Sequence, residues 1–475
     1  MVFSSITFLI FFLPVLLFVY YLADNRYKNI ILLVFSAAFY AWGAPKFIFV
    51  ILLTTFVDFH FVKWLYDTNN PKIRKLLFLA SLSINLGLLF YFKYCNFFIE
   101  NANRILTEAG VGTFPLLNVV LPIGISFYTF ESITYMVDVY RRVHAPLRKF
   151  WEYQLYIIFF PKLIAGPIVR YHEIADQING RFSNHRIDDK LLGLNRFCIG
   201  LAKKVLIANV VGKEADAIFQ SDIHLLSSWD AWIGALAYTM QIYFDFSGYS
   251  DMAIGLARMF GFRLPENFNN PYISKSITEF WRRWHITLGS WMKNYLYIPL
   301  GGNKVKSNAR LYFNLVMVFA FSGLWHGAHW VFIIWGLYHG LWMVLERLIG
   351  EERLQKIPAM LRIAFSFFVV VIGWVFFRVE YLSKGIAFIQ KMFSFDFNTH
   401  QPLEKQFVIV FIAALLFSFS TLFSPFRKIE KDMYYASALT FSKMLLYSFA
   451  ALILFILCVS SIASSDFNPF IYFRF

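Results

Sequence analysis

The chain has 475 residues, 59% of them hydrophobic and 15% charged, against roughly 45–50% and about 25% in ordinary soluble domains. With a mean hydropathy of +0.56, this excludes a soluble enzyme and predicts an all-α polytopic membrane protein. The formal charge of +15 sits on Lys and Arg residues between apolar stretches, which fits the positive-inside rule rather than a nucleic-acid interface.

Stretches of about 20 mainly apolar residues recur along the chain, roughly eleven in all, each able to cross a hydrocarbon core of about 30 Å. The first begins at Met1, with no Lys or Arg before it and no small-residue cleavage site after it. It is expected to be a retained anchor. Basic loops follow at Arg26 and Lys28, at Lys72, Arg74 and Lys75, and at Arg141, Arg142, Arg148 and Lys149; placing them in the cytoplasm puts the N-terminus outside. The apolar stretch 150–169 is interrupted by Pro161, Gly166 and Pro167, and the segment after it, 170–190, is again basic. A broken helix at membrane depth needs shielding by protein or a water-filled cavity, so a re-entrant element lining a cavity is expected there.

Apolar segments near 191–211 and 225–244 lead to Asp245 and Asp251, two acids in one apolar neighbourhood. Residues 262–310 are too charged to span: Arg282, Arg283, Lys293, Lys304, Lys306 and Arg310 alternate with Trp281, Trp284 and Trp291. This stretch is expected to lie along the cytoplasmic interface. Spans resume from Leu311 and continue toward the C-terminus, broken by a polar loop near 394–405. No internal repeat supports a repeat-built transporter. Cys95, Cys198 and Cys458 lack CxxC spacing, which argues for packing and against a disulfide framework, zinc site or redox pair.

His326 stands inside the apolar run 311–345, where an ionisable group is costly and marks a functional site by default. Its imidazole suits a general base; a histidine hydrogen-bonded between helices is the plainer alternative. Gly323 and Gly327 flank it at the spacing of close helix packing, which would also leave room for a narrow substrate. His329 shares that face, but no further ligand stands at metal-binding spacing, so no metal is expected. His339, thirteen residues past His326, falls on another face of a continuous helix at about 100° per residue and is read as structural. His285 follows an aromatic, basic stretch and is expected nearer the surface. Arg282, Arg283 and Lys293 suit a phosphate-rich ligand such as coenzyme A, or anionic lipid headgroups. No Gly-x-Ser-x-Gly elbow, Walker loop or dinucleotide fingerprint occurs, so the energy of any transfer must come from an activated donor.

The motifs LPIGISF at 121–127, FPKLIAGPI at 160–168, YFDFSGYSD at 243–251, FWRRWH at 280–285, YIPLGGN at 297–303, GLWHG at 323–327 and NPFIYF at 468–473 run nearly the length of the chain. In this order they resemble the membrane-bound O-acyltransferase (MBOAT) family, in its alginate O-acetyltransferase branch. The resemblance implies a ring of helices around a thinned centre, with re-entrant and interfacial helices. It makes His326 the catalytic histidine and places His285 at the cytoplasmic end of a tunnel, with no departure from the family at either. Within one transmembrane domain over 1–475, residues 1–149 and 351–475 would supply flanking spans and 150–350 the catalytic core.

The expected function is transfer of an acetyl group from cytosolic acetyl-CoA, with no bound cofactor, toward an extracytoplasmic polysaccharide. In that reading His326 is the general base, His285 positions donor or acceptor, and Arg282 and Arg283 hold the donor. Asp245, Asp251, Trp325 and Gly327 are candidate tunnel lining, the acids having helix packing as their alternative. The expected setting is the bacterial cytoplasmic membrane, with a separate periplasmic or extracellular acetyltransferase partner and no nucleic acid. The rivals are D-alanyl transfer to teichoic acid, a transporter that makes no bond, and a non-catalytic scaffold of an export complex.

Overall fold

The computed structural model describes residues 1–181, 187–397, 402–436, 438–464 and 467. They are helical, with no strand among them, and fall into two compact units, one of residues 1–185 with 261–264 and one of residues 186–260 with 265–475. The motif at 468–473 lies outside the described residues.

In the first unit, α1 (Leu13–Leu22), α2 (Asn25–Gly43), α3 (Ile48–Asp67), α4 (Pro71–Leu89) and α5 (Cys95–Glu108) precede α6 (Ile125–Tyr140). Gly124 opens α6 at φ +77°, and a Cβ on it would stand 2.7 Å from the Leu163 carbonyl oxygen. Only glycine combines that left-handed turn with so close an approach, and the contact docks the motif 121–127 on the motif 160–168. The interruption expected around Pro161 is present: α7 (Phe150–Ile158) stops at Phe159, α8 (Phe160–Leu163) adds one turn, and α9 (Tyr171–Gly180) follows an extended stretch. Residues 152–169 are buried throughout, and the freed backbone groups find partners. Phe160 N–H donates to Ser36 Oγ at 3.1 Å and Tyr156 Oη to the Val169 carbonyl at 2.8 Å. Lys162 pairs with Glu131 of α6, both fully enclosed.

The second unit is built on α10 (Ile187–Ala202) against α12 (Ser228–Met259), with α11 (Asn209–Gln220) between them in sequence. A Cβ on Gly193 would stand 2.7 Å from Gly255 O, and one on Gly200 2.5 Å from Gly248 O. Glycines facing glycines let the two backbones touch. That approach sets Lys204 Nζ 2.8 Å from Asp245, and Arg196 and Lys203 at 2.8 and 2.6 Å from Asp251. Short helices α13 (Ile277–Arg283) and α14 (Ile286–Trp291) come next, then the hairpin of α15 (Asn308–His326) and α16 (Trp330–Ile349). After α17 (Glu351–Gln355), α18 (Ala359–Arg378) packs on α16 and α12.

Among the described residues, six helices are long and apolar enough to cross a membrane: Ile48–Asp67, Pro71–Glu108, Trp330–Ile349, Ala359–Arg378, Lys405–Leu422 and Phe441–Ser464. The chain is a multi-pass membrane protein. The stretches near 150–169 and 191–244 are not among them: the break at Phe159 leaves α7 and α8 short, α10 has 16 residues, and α12, though 32 residues long, is less apolar. The aromatics of residues 280–291 depart from the interfacial expectation. Phe280, Trp284 and Trp291 are buried, and Phe280 and Trp284 belong to the core of the second unit with Trp335 and Trp374, where they bury more apolar surface than a membrane interface would cover.

Candidate active site

His326 ends α15, where the chain breaks at Gly327 before α16 begins at Trp330. The hairpin is tight: a Cβ on Gly323 would lie 2.1 Å from Phe332 O, and one on Gly336 2.1 Å from Phe319 O. The space beside Gly327 is filled by the Phe332 ring, 2.2 Å from the Cβ position. Both glycines therefore serve close packing.

The His326 ring lies among Trp325, Trp335 and Phe377, with centroids at 4.8, 5.2 and 5.2 Å. His285 approaches from the break between α13 and α14. The two imidazole centroids are 6.4 Å apart, and Trp325 adjoins both, 6.0 Å from His285. His285 is 1% exposed and His326 6%, so the expectation of one surface and one buried histidine is corrected: the aromatic residues around His285 turn inward and take it with them.

His285 has a left-handed backbone, φ +44° and ψ +51°, which costs a residue bearing a side chain and is held only where the surroundings demand it. The loop 265–270 makes that demand. Ile286 N–H donates to the Asn267 carbonyl at 2.9 Å and Asn269 N–H to the Arg283 carbonyl at 2.9 Å. Glu266 is anchored by Arg196 at 2.5 Å. Asn267 Oδ1 then meets His285 Nδ1 at 3.0 Å and accepts from Thr287 N at 3.3 Å and Thr287 Oγ1 at 2.9 Å. His285 Nε2 is buried without a partner. Burial pushes this imidazole down to about 3, so His285 is neutral at physiological pH. Asn267 had no signal in the sequence as a chemical group; its place follows from two chain segments running side by side.

His339 lies on α16, and its ring packs 5.0 Å from Trp281 and 5.3 Å from Trp335, the same indole that touches His326. The helical-face argument that set it apart assumed one continuous helix, and the turn at 327–329 removes that premise. His329, at the N-cap of α16, is exposed and stands apart from this cluster.

The two arginines divide. Arg283 is tied to Glu279 at 2.8 Å and to the Asn269 carbonyl at 3.1 Å. Arg282 is exposed and lines an open cleft of about 920 Å³ with Lys275, Arg347 and Arg362. Two of the cleft's acids are engaged, Glu279 by Arg283 and Glu346 by the backbone N–H groups of Ile277 and Thr278, which leaves a surplus of positive charge. Asp245 and Asp251 are held in ion pairs: their carboxylates meet Lys204, Arg196 and Lys203 from α10 and the turn that follows it. Of the candidate lining residues, Trp325 packs on both imidazoles.

Two buried imidazoles side by side, tilted 57° to one another, fit acyl transfer to a hydroxyl, and the sequence comparisons point to an acyltransferase family. Residues 140–383 match the model of the membrane-bound O-acyltransferase family, and the chain belongs to that family. It is 41% identical to the probable alginate O-acetylase AlgI of Pseudomonas putida over the whole of both chains. Similarity to the peptidoglycan O-acetyltransferase of Helicobacter pylori is 36% identity, covering 82% of this chain and 80% of that one. The teichoic acid D-alanyltransferase of Bacillus subtilis is 30% identical over 48% of this chain and 60% of its own.

Proposed function

We propose that this O-acyltransferase moves an acetyl group from a cytosolic acetyl thioester, acetyl-CoA, toward an extracytoplasmic polysaccharide. The carrying observation is the pair of buried imidazoles 6.4 Å apart. The names of the two relatives with the fuller coverage support acetyl as the group and a surface polysaccharide as the acceptor. In this reading the polymer is alginate, peptidoglycan or another exopolysaccharide, reached through a separate extracytoplasmic partner. The chain sits in the bacterial cytoplasmic membrane with its N-terminus outside, and residues 150–350 hold the catalytic core.

His326 takes the proton of the acceptor hydroxyl as that oxygen attacks the thioester carbonyl. The carbon–sulfur bond breaks, the thiolate leaves toward the cytosol, and the proton passes from His326 to the products. His285, held neutral, positions the reactants. Arg282, with Lys275, Arg347 and Arg362, retains the donor's phosphates, since a guanidinium fork matches phosphate oxygens, and Arg283 braces the helix that carries Arg282.

Membranes containing the protein, supplied with radiolabelled acetyl-CoA or with D-alanyl-charged carrier protein, test this reading. Label should reach polysaccharide from acetyl-CoA. Transfer from the charged carrier alone would replace it with the D-alanyl reading, and transport without bond formation would remove the enzyme reading altogether.

A further inference from the structure

The hydrogen bonds around Asn267 decide which way the His285 imidazole is wired. A backbone N–H can only donate, so the Asn267 atom that Thr287 N–H meets at 3.3 Å is the carbonyl oxygen. The same oxygen faces His285 Nδ1 at 3.0 Å, so Nδ1 must carry the proton. In a neutral ring the other nitrogen then holds only a lone pair. That nitrogen, Nε2, is the buried, unpartnered one. A group so placed costs stability unless something met in function satisfies it, and the left-handed backbone of His285 adds a second cost at the same residue.

We propose that Asn267 is a positioning residue that locks His285 into the Nδ1–H tautomer, so that Nε2 accepts a hydrogen bond from a substrate N–H or O–H beside the reacting centre. The thioester carbonyl and sulfur offer no such donor. The group that fits is an amide N–H of the thioester's arm, or a hydroxyl of the acceptor sugar next to the one that reacts. This resolves the role left open for His285: with a proton affinity depressed by burial it is a poor proton carrier, and it serves as a fixed neutral acceptor while His326 handles the proton. The rings packed on His285 are Phe246 from α12 and Trp325 and His326 from α15, of which His326 alone titrates. On its own side of the chain, Glu279 and Arg283 are paired with each other and Arg282 faces the cleft.

The inference rests on the acyl-transfer reading for its substrate, but the tautomer is measurable without turnover. The experiment is 15N NMR of histidine-labelled full-length protein in nanodiscs, with His285→Gln identifying the His285 signals, followed by acetyl-transfer kinetics on the same preparations. Wild type should show the His285 Nδ1–H tautomer, neutral down to pH 5. Asn267→Asp places a carboxylate against Nδ1–H and raises the His285 pKa toward or above its ordinary value of about 6.5. Below that pKa Nε2 becomes a donor, so this variant should gain a second acid limb beside the one that protonation of the base His326 gives wild type, and recover as pH rises. Asn267→Ala, folded by size-exclusion criteria, should show mixed tautomers and lose roughly 3–10-fold in activity. A rise in the donor KM identifies the thioester's arm as the ligand, and a rise in the acceptor KM identifies the sugar hydroxyl. An Nε2–H tautomer in wild type, or an unchanged tautomer and pH profile in both Asn267 variants, overturns the proposal whether or not acetyl is the group transferred. Absence of acetyl transfer in wild type with the tautomer confirmed would instead count against the acetyl reading alone.

Discussion

Lys204 Nζ of the second unit lies 2.8 Å from Asp245 Oδ1, with both side chains almost fully buried between α10 and α12. A buried pair of this kind is far more damaging to break than to replace whole, because removing one partner leaves an uncompensated charge. Asp245→Asn should therefore lower stability by about 3–5 kcal/mol, read as a large fall in melting temperature in detergent. The double variant Lys204→Met, Asp245→Leu should regain most of it. Near-normal acetyl transfer by the double variant would place Asp245 with the scaffold, whereas a stable but inactive double variant would return it to the active site.

The glycine contacts make a sharper stability prediction. A methyl group on Gly323 would stand 2.1 Å from the Phe332 carbonyl oxygen, closer than any atom pair tolerates, and backbone cannot swing aside as a side chain can. Gly323→Ala should force α15 and α16 apart and destabilise by about 1–3 kcal/mol or more. Gly87, with nothing within 4 Å of its Cβ position, is the control: Gly87→Ala should leave the melting temperature unchanged or slightly raised, as expected for alanine in a helix. Equal behaviour of the two variants would contradict the close crossing.

Arg282 and Arg283 should separate kinetically. Arg282→Gln removes a cationic group from the open cleft without disturbing a partner, so the donor KM should rise with kcat nearly unchanged, as expected for contacts equal in ground and transition states. Arg283→Gln frees Glu279 and the Asn269 carbonyl, loosens the strand of chain that holds Asn267, and should lower kcat as well. Steady-state measurements with varied acetyl-CoA check both. A kcat loss with constant KM in Arg282→Gln would mean that the cleft does not bind the donor.

Much of this arrangement was legible in the sequence, for definite physical reasons. The burial of His326 was visible because it stands within an apolar run, and the break near Pro161 because proline cannot continue a helix. What stayed hidden depended on segments meeting in space. The argument that put His339 on another face assumed a helix running through Gly327, where the chain in fact turns, and so missed that its ring and that of His326 share the Trp335 indole. His285 was expected near the surface because tryptophan with arginine suits a membrane interface, yet the aromatic rings pack into the core and the arginines alone face outward. Asp245 and Asp251 were ambiguous until Lys204, Arg196 and Lys203 were found opposite them, a pairing set by glycines on two helices. Asn267 carried no signal because an asparagine in a polar loop is ordinary, and only the adjacent run of 283–287 gives it a histidine to orient.

The central claim is that His326 takes the acceptor's proton, and initial rates of acetyl transfer in proteoliposomes carrying wild type or His326→Ala test it most directly. With folding and insertion matched, the variant should lose roughly 10²–10⁴-fold in kcat, the range expected for removal of a general base, while still binding acetyl-CoA at the cleft lined by Arg282. A correctly folded His326→Ala protein that transfers acetyl at close to the wild-type rate would contradict the account.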